Sequence, residues 1–262
     1  MCDDDQNIEN SRPTGYVGLI PAAGFGSRLP ALQNAKEMLA VGDENRPVIG
    51  HLLDIMAGAN VKDVTVVLRP QKTDLTTYLG SDLWAHMQLD LKFTPGTGGV
   101  PETVALGLEG VEHRHVAFGF PDILFKPIDA LTTMMLKLEA GNSQAVLGLF
   151  PTGSPEKSDM VKTDKDGTVV DIEIKPAQTE LDRTWVLAVW KPSFSRYLIN
   201  KVRIDSDALD DSNALPDTDH LGQVFQSAIG DGMPIGTVIF QHGSSLDIGT
   251  PDDLALARSW TF

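Results

Sequence analysis

The chain has 262 residues, 42% hydrophobic and 22% charged, which suits a folded globular protein and excludes disordered and fibrous architectures. Its 21 basic and 36 acidic residues leave a net charge of −15. That balance disfavours nonspecific binding to nucleic acid or anionic membranes, although it permits a local basic pocket for a small phosphorylated ligand. The single cysteine, Cys2, excludes an intramolecular disulfide and a cysteine-rich zinc site.

Length alone predicts about 1.7 domains. Residues 1–14 read as a disordered acidic tail without the apolar core of a signal peptide, and no apolar run is long enough to cross a bilayer. A cytoplasmic protein is the expectation. Val17–Pro21 is a continuous apolar strand of the kind buried on both faces of a parallel sheet. A glycine- and alanine-rich loop follows. Pro47–Ala59 is apolar at helical spacing, Val64–Leu68 is a second buried strand, Asp74–Leu79 a short helix and Leu89–Phe93 a third strand. Next come a helix at Val100–Leu108, a strand at Val116–Phe120, a helix at Ile128–Leu138 and a strand at Ala145–Phe150. This alternation predicts βαβ units and a doubly wound, mainly parallel sheet.

After Phe150 the rhythm changes. Met160–Thr163 and Thr168–Ile174 flank Asp166-Gly167, the signature of a β-hairpin. Trp185–Trp190 is another strand, and residues 203–218, rich in Asp and Ser, read as a mobile insertion. Leu221–Ile229 is helical, Thr237–Phe240 a strand and Asp252–Trp260 a closing helix.

The loop Pro21-Ala22-Ala23-Gly24-Phe25-Gly26-Ser27-Arg28-Leu29 lets backbone N–H groups approach an anion closely. It is not a dinucleotide fingerprint: Leu29 replaces the third glycine, and the second strand ends in Arg69 rather than an acid. It also lacks the Gly-Lys-Ser/Thr of a Walker loop. Arg28 and Lys36 beside it suit a polyphosphate, Arg as a fork and Lys as a point charge. The alternative is a tight turn with two solvated cations.

Ala22–Leu29 followed by Lys36-Glu37-Met38-Leu39 resembles the signature of the sugar-1-phosphate nucleotidyltransferases, in particular the glucose-1-phosphate thymidylyl- and uridylyltransferases. Ala35 stands where that family has proline. The resemblance implies a Rossmann-like α/β sheet with a small β-rich sugar-binding lobe. Residues 15–262 would then form one domain, with a nucleotide-binding half at 15–150 and a sugar-binding half at 151–262.

Four further segments follow the family's order. In Phe93-Thr94-Pro95-Gly96-Thr97-Gly98-Gly99, a strand, glycine turn and helix N-terminus make a second loop for backbone contacts. The resemblance places it over the nucleobase and sugar, with Thr94 near the base-contacting position and Gly99 beside it; a plain β-turn-α connection is the alternative. Asp122 follows a buried strand, where open α/β sheets bind ligands, and matches the family's Mg²⁺ ligand, with Pro121 in place of glycine. An N-cap ahead of Pro127 is the other reading. Asp247, in Asp247-Ile248-Gly249-Thr250-Pro251, matches the second Mg²⁺ ligand, while Thr250 and Asp253 would cap the last helix. In Glu173-Ile174-Lys175-Pro176, Lys175 matches the lysine that binds the sugar phosphate. Ile174 occupies the family's Glu position and Glu173 lies one residue earlier, facing the opposite way. Asp159 falls near the sugar, where the family often has a small residue.

The resemblance implies transfer of a nucleotidyl group from a nucleoside triphosphate, dTTP or UTP, to a sugar-1-phosphate such as glucose-1-phosphate, with Mg²⁺. Ala22, Ala23, Gly24, Gly26, Ser27 and Arg28 would hold the triphosphate. Lys36 would stabilise charge at the α-phosphorus, and Lys175, with Glu173 and Asp159, would hold the sugar phosphate. Two other functions stay open: a relative acting on a non-sugar phosphorylated acceptor, and a nucleotide-sugar sensor without catalysis. A homo-oligomer is a further family expectation.

Overall fold

Strand β1 (Tyr16–Ala22) is buried along its length except at Pro21, which is half-buried. Its residues feed two cores: Tyr16, Ile20 and Ala22 pack on one face of the sheet, Val17 and Leu19 on the other. A strand covered on both faces is apolar at successive positions, which explains the absence of alternation. The computed structural model describes residues 13–24, 35–42, 45–211 and 220–261. The expected tail before Pro13, the loop residues Gly26, Ser27 and Arg28, and residues 212–218 lie outside that set.

Two-residue strands β2 (Ala40–Val41) and β3 (Arg46–Pro47) form a small antiparallel pair. Strands β4 (Asp63–Leu68) and β6 (His115–Gly119) flank β1 in parallel, and β5 (Gln88–Phe93) continues in parallel from β4. Short β7 (Ile123–Lys126) leaves this sheet. Strand β8 (Ala145–Pro151) runs antiparallel to β11 (Arg183–Trp190), which is itself antiparallel to β6. The hairpin of β9 (Asp159–Thr163) and β10 (Val169–Ile174) joins through β11, and β12 (Ile235–Ile239) pairs in parallel with β8. The result is one nine-stranded sheet with a path β10-β9-β11-β6-β1-β4-β5. Gly167 turns the hairpin with φ of +79°, a conformation open to glycine at little cost.

Seven α-helices occur among the described residues. One face is covered by α1 (Val48–Gly58), α2 (Thr73–Leu79) and α4 (Ala130–Ala140), through Leu52, Met56, Leu75 and Met134. The other is covered by α3 (Val100–Leu108), α5 (Pro192–Asp211) and α6 (Leu221–Gly230), through Val104, Phe194, Leu198 and Phe225. Helix α7 (Pro251–Arg258) closes the chain behind β13 (Ser244–Asp247). The architecture is therefore the doubly wound α/β sheet expected from the alternation.

Helix α5 corrects one expectation. Backbone read as irregular from residue 203 onward stays helical to Asp211. Phe194 and Leu198, four residues apart and fully buried, seat the helix on the core, with Tyr197 and Val202 packed beside them. Propagation from that seated segment carries the polar end along. No helix among the described residues is long and apolar enough to cross a membrane.

Gly107 lets α3 lie close to the sheet. A Cβ there would come within 2.4 Å of Leu19 Cδ1 and 2.9 Å of Val67 Cγ2. Gly107→Ala is expected to destabilise by about 1–3 kcal/mol through overpacking, reduced by the roughly 1 kcal/mol that alanine gains in a helix. Urea denaturation checks this; a net gain in stability would show that Leu19 yields freely.

Candidate active site

The chain leaves β1 at Ala22, at the carboxyl edge of the sheet, where crossing from one helical layer to the other opens a crevice. A cavity of about 590 Å³ lies there. Ala23 and Gly24 line its floor, Lys36 and Asp122 its middle, and Lys175 and Asp159 its far wall. Although the chain is strongly acidic, Lys36, Arg69, Lys157 and Lys175 all face this space.

Two cations from the segment after β4 tie the floor together. Arg69 Nε donates to Ala23 O at 2.6 Å, and Arg69 Nη1 donates to Pro95 O in the second loop. Lys72 Nζ donates to Ala22 O at 2.6 Å and to both oxygens of Glu37, at 2.7 and 2.8 Å. Glu37 is completely buried. Burial pushes its carboxyl up, partly offset by Lys72, and burial pushes the Lys72 ammonium down, partly offset by Glu37. The segment 69–72 thus fixes the end of β1 at Ala22-Ala23, the turn Lys36–Met38 and the second loop relative to one another. Asp74 adds an acceptor for Ala35 N at 2.9 Å.

That turn presents Lys36, whose ammonium pairs with Asp122 Oδ2. Burial acts to lower the Lys36 ammonium, but Asp122, with Glu37 and Asp247 also contributing, leaves it above the ordinary lysine range. Asp122 is buried and follows β6. Its carbonyl accepts Ile248 N at 3.0 Å, and β13 runs antiparallel to β7 with Asp247 opposite Ile123. This small sheet brings both predicted metal ligands to one place. Their carboxylates act on one cationic centre, the Lys36 ammonium, and supply the hard oxygen donors that a divalent ion prefers. No group of three His, Cys, Asp or Glu able to hold a metal occurs among the described residues. An ion here would therefore draw its remaining ligands from phosphate oxygens and water, as Mg²⁺ commonly does.

The second loop is ordered by its own side chains. Thr94 Oγ1 donates to Gly96 O at 3.0 Å and accepts Gly96 N at 3.2 Å. Thr94 is buried and braces the loop, while Thr97, Gly99 and Thr103 line the cavity. Thr97 and Thr103 share a hydroxyl–hydroxyl bond of 2.6 Å. Ala22 contributes through its carbonyl bond to Lys72.

On the far wall, Lys175 sits at φ of +43°, in the left-handed region that costs a non-glycine residue about 1 kcal/mol. Strain of this kind concentrates where a side chain must be aimed. Its Nζ lies 3.5 Å from His220 Nδ1, and both line the cavity. Asp159 lines the same wall. Burial pushes its carboxyl up, with His220, Lys175 and the Trp185 N–H opposing. Glu173, paired with Met160 in the hairpin, is not brought to the cavity with them. At the rim, Thr250 Oγ1 accepts Asp253 N at 3.2 Å and donates to Asp253 Oδ2 at 2.7 Å, the expected cap of α7.

Sequence reasoning missed Glu37, Lys72 and His220. Glu37 left one signal: an acid beside a cation in an apolar turn requires a second cation when buried. His220 left none, since its place depends on a fold between distant segments.

A family model described as nucleotidyl transferase matches residues 17–260. Among curated proteins, the glucose-1-phosphate thymidylyltransferase of Neisseria gonorrhoeae is 25% identical over 170 residues, covering 63% of this chain and 57% of that protein. The chain thus spans little more than half the length of the curated relatives it matches first. Among solved structures, a Bacillus anthracis protein provisionally named a glucose-1-phosphate thymidylyltransferase, in complex with a sucrose, superposes with a TM-score of 0.79 at 18% identity, covering 94% of this chain and 97% of that one. The inositol-1-phosphate CTP transferase of T. maritima superposes with a TM-score of 0.71 at 17% identity, covering 92% of each chain.

Proposed function

Since the chain belongs to the nucleotidyl transferase family, we propose that its cleft joins a nucleoside triphosphate to a sugar-1-phosphate, with dTTP or UTP and glucose-1-phosphate as the first pair to test. The observation that carries this reading is Lys36 set against Asp122 and Asp247, between the glycine loop and Lys175.

An oxygen of the acceptor phosphate attacks the α-phosphorus. The bond from that phosphorus to the bridging β-oxygen breaks, and pyrophosphate leaves with the electron pair. The acceptor phosphate is already ionised at neutral pH, so no side chain has to remove a proton. Lys175 holds the acceptor phosphate, and Lys36 stabilises charge developing at the α-phosphorus. The amides at Gly24 and beyond, with Arg28, receive the β- and γ-phosphates. Asp122 and Asp247 are the residues that would hold Mg²⁺, which when bound neutralises phosphate charge and orients the two substrates. Positioning and electrostatics, rather than covalent chemistry, supply the rate.

The test is pyrophosphate release with Mg²⁺ across dTTP, UTP, CTP, GTP and ATP, each with a panel of sugar-1-phosphates and inositol-1-phosphate. Wild type is run beside Asp122→Ala. Turnover with a sugar-1-phosphate, falling at least a hundredfold in the variant, supports the reading. Turnover confined to inositol-1-phosphate favours a second reading, a non-sugar acceptor. Nucleotide binding without any release would point to a sensor.

A further inference from the structure

Strand β4 lies between β1 and β5, and the three parallel strands end level, with Leu68 opposite both Ala22 and Phe93. Arg69 is the next residue, and from this middle position its side chain reaches to both sides. Nε donates to Ala23 O at 2.6 Å, where the glycine loop begins, and Nη1 donates to Pro95 O in the second loop. The second loop folds closely over the guanidinium: a Cβ at Gly96 would lie 3.0 Å from Arg69 Nη2 and 3.2 Å from Nη1. Arg69, Gly24, Thr97 and Gly99 all line the cavity.

The other bonds of the second loop are local. Thr94 N donates to Leu68 O at 3.0 Å and anchors the loop where it leaves β5. Beyond that point Thr94 bonds Gly96, Thr97 bonds Gly99, and Glu102 Oε2 accepts Gly98 N at 2.6 Å. These bonds set the shape of the loop, whereas Arg69 sets its distance from Ala23. The outer strands of such a trio lie roughly 10 Å apart. Nε and Nη1 point different ways in one rigid plane, so a single arginine can bridge carbonyls on either side. A lysine ammonium is one centre on a flexible stem.

We infer that Arg69 is a positioning residue for the nucleoside triphosphate: it fixes the span between the two loops, so that the phosphate end and the base end bind as one ligand. The inference rests on the nucleotidyl-transfer reading, in which the glycine loop takes the phosphates and the second loop the base. Two linked groups gain most when the span of their linker matches the spacing of their sites. Loosening that spacing removes the gain and leaves the affinity of each separate part in place. Lys175 and His220 stand on the far wall, on segments that Arg69 does not hold, so the acceptor is spared.

The test uses the full chain with Mg²⁺ and the triphosphate that wild type binds tightest among dTTP, UTP, CTP, GTP and ATP. Its nucleoside, inorganic tripolyphosphate and glucose-1-phosphate are titrated beside it by direct and competitive calorimetry. Arg69→Met is expected to weaken triphosphate binding roughly 10- to 100-fold, the scale of a misplacement near 1 Å. The nucleoside, tripolyphosphate and glucose-1-phosphate should each stay within about threefold of wild type, because the parts keep their own sites. Arg69→Lys restores the charge without the bridge and should remain close to Arg69→Met. Gly96→Ala, which presses a Cβ on the guanidinium, should weaken the triphosphate in the wild-type background. It should add little to Arg69→Met, as expected of two changes acting through one contact.

Three results overturn the inference: triphosphate affinity unchanged in Arg69→Met, affinity restored by Arg69→Lys, or tripolyphosphate weakened as much as the triphosphate. The last would make Arg69 a phosphate contact. An equal loss for all four ligands would mean general damage and also overturns it. None of these titrations requires turnover. The expected pattern in a protein that releases no pyrophosphate keeps the inference and removes the transferase. Turnover with a triphosphate affinity indifferent to Arg69 does the reverse, and a wild type that binds none of the five triphosphates removes both.

Discussion

Lys36→Met is expected to lower turnover by roughly 10²–10³-fold, the loss seen when one preorganised donor is removed from a developing charge, or about 2.7–4 kcal/mol of barrier. The substitution keeps the length and apolar stem of the side chain, so the turn around it should persist. A second readout distinguishes a lost chemical role from a damaged site. In the wild type the Lys36 ammonium already neutralises Asp122 and lies in the field of Asp247. Without it, both carboxylates lose that cation, and their affinity for a divalent ion should rise. Mn²⁺ titration followed by electron paramagnetic resonance measures this directly. Slower turnover with tighter Mn²⁺ binding is the expected pair of results. Slower turnover with weaker binding would mean that the site has collapsed, and unchanged turnover would remove Lys36 from the chemistry.

Lys72→Met is expected to produce the largest loss of stability, about 3–5 kcal/mol, because it leaves the Glu37 carboxylate buried without its partner. Against the 5–15 kcal/mol typical of a whole domain, that loss is visible in any urea or thermal unfolding experiment. Replacing both members, Lys72→Met with Glu37→Leu, should recover most of the stability, since an apolar pair of similar volume carries no desolvation cost. Turnover should not recover with it. The double variant still lacks the bond from Lys72 to the Ala22 carbonyl, and with it the tie between glycine loop and lysine turn. A double variant restored in both stability and rate would make the pair a packing device alone.

The sheet was legible because its central strands are buried on both faces. Val17–Pro21 and Val64–Leu68 announce themselves as unbroken apolar runs, and the helices between them carry regular spacing. Short β7 and β13 were not legible, since four residues each give no period to detect and their pairing joins distant parts of the chain. The far end of α5 was hidden for another reason: its polar composition imitates a loop, and only the buried Phe194 and Leu198 commit it to a helix.

The site divides in the same way. Asp122, Asp247, Lys36 and Lys175 stand in local motifs whose chemistry can be read residue by residue, and the fold gathers all four at one cavity. Thr94 and Glu173 had equally local signals but different fates. The Thr94 hydroxyl is consumed by its own turn, and a one-residue offset in a strand keeps Glu173 from the cavity that Lys175 reaches. Glu37 with Lys72, and Trp185 with Asp159, are contacts between segments that no local spacing records.

The small sheet of β7 and β13 also bears on how a newly made chain becomes competent. Asp122 and Asp247 lie more than a hundred residues apart in sequence, and the pairing that unites them joins β7 to a strand synthesised long after it. Closing so long a loop is entropically costly and yields only a four-residue ladder in return. The nine-stranded sheet can therefore consolidate first, with the acidic pair assembled afterwards. Until β13 docks, the cleft lacks Asp247, and a partly synthesised chain would offer Asp122 alone to a divalent ion. Competence thus waits on the docking of β13, and is timed by synthesis of the segment that carries it.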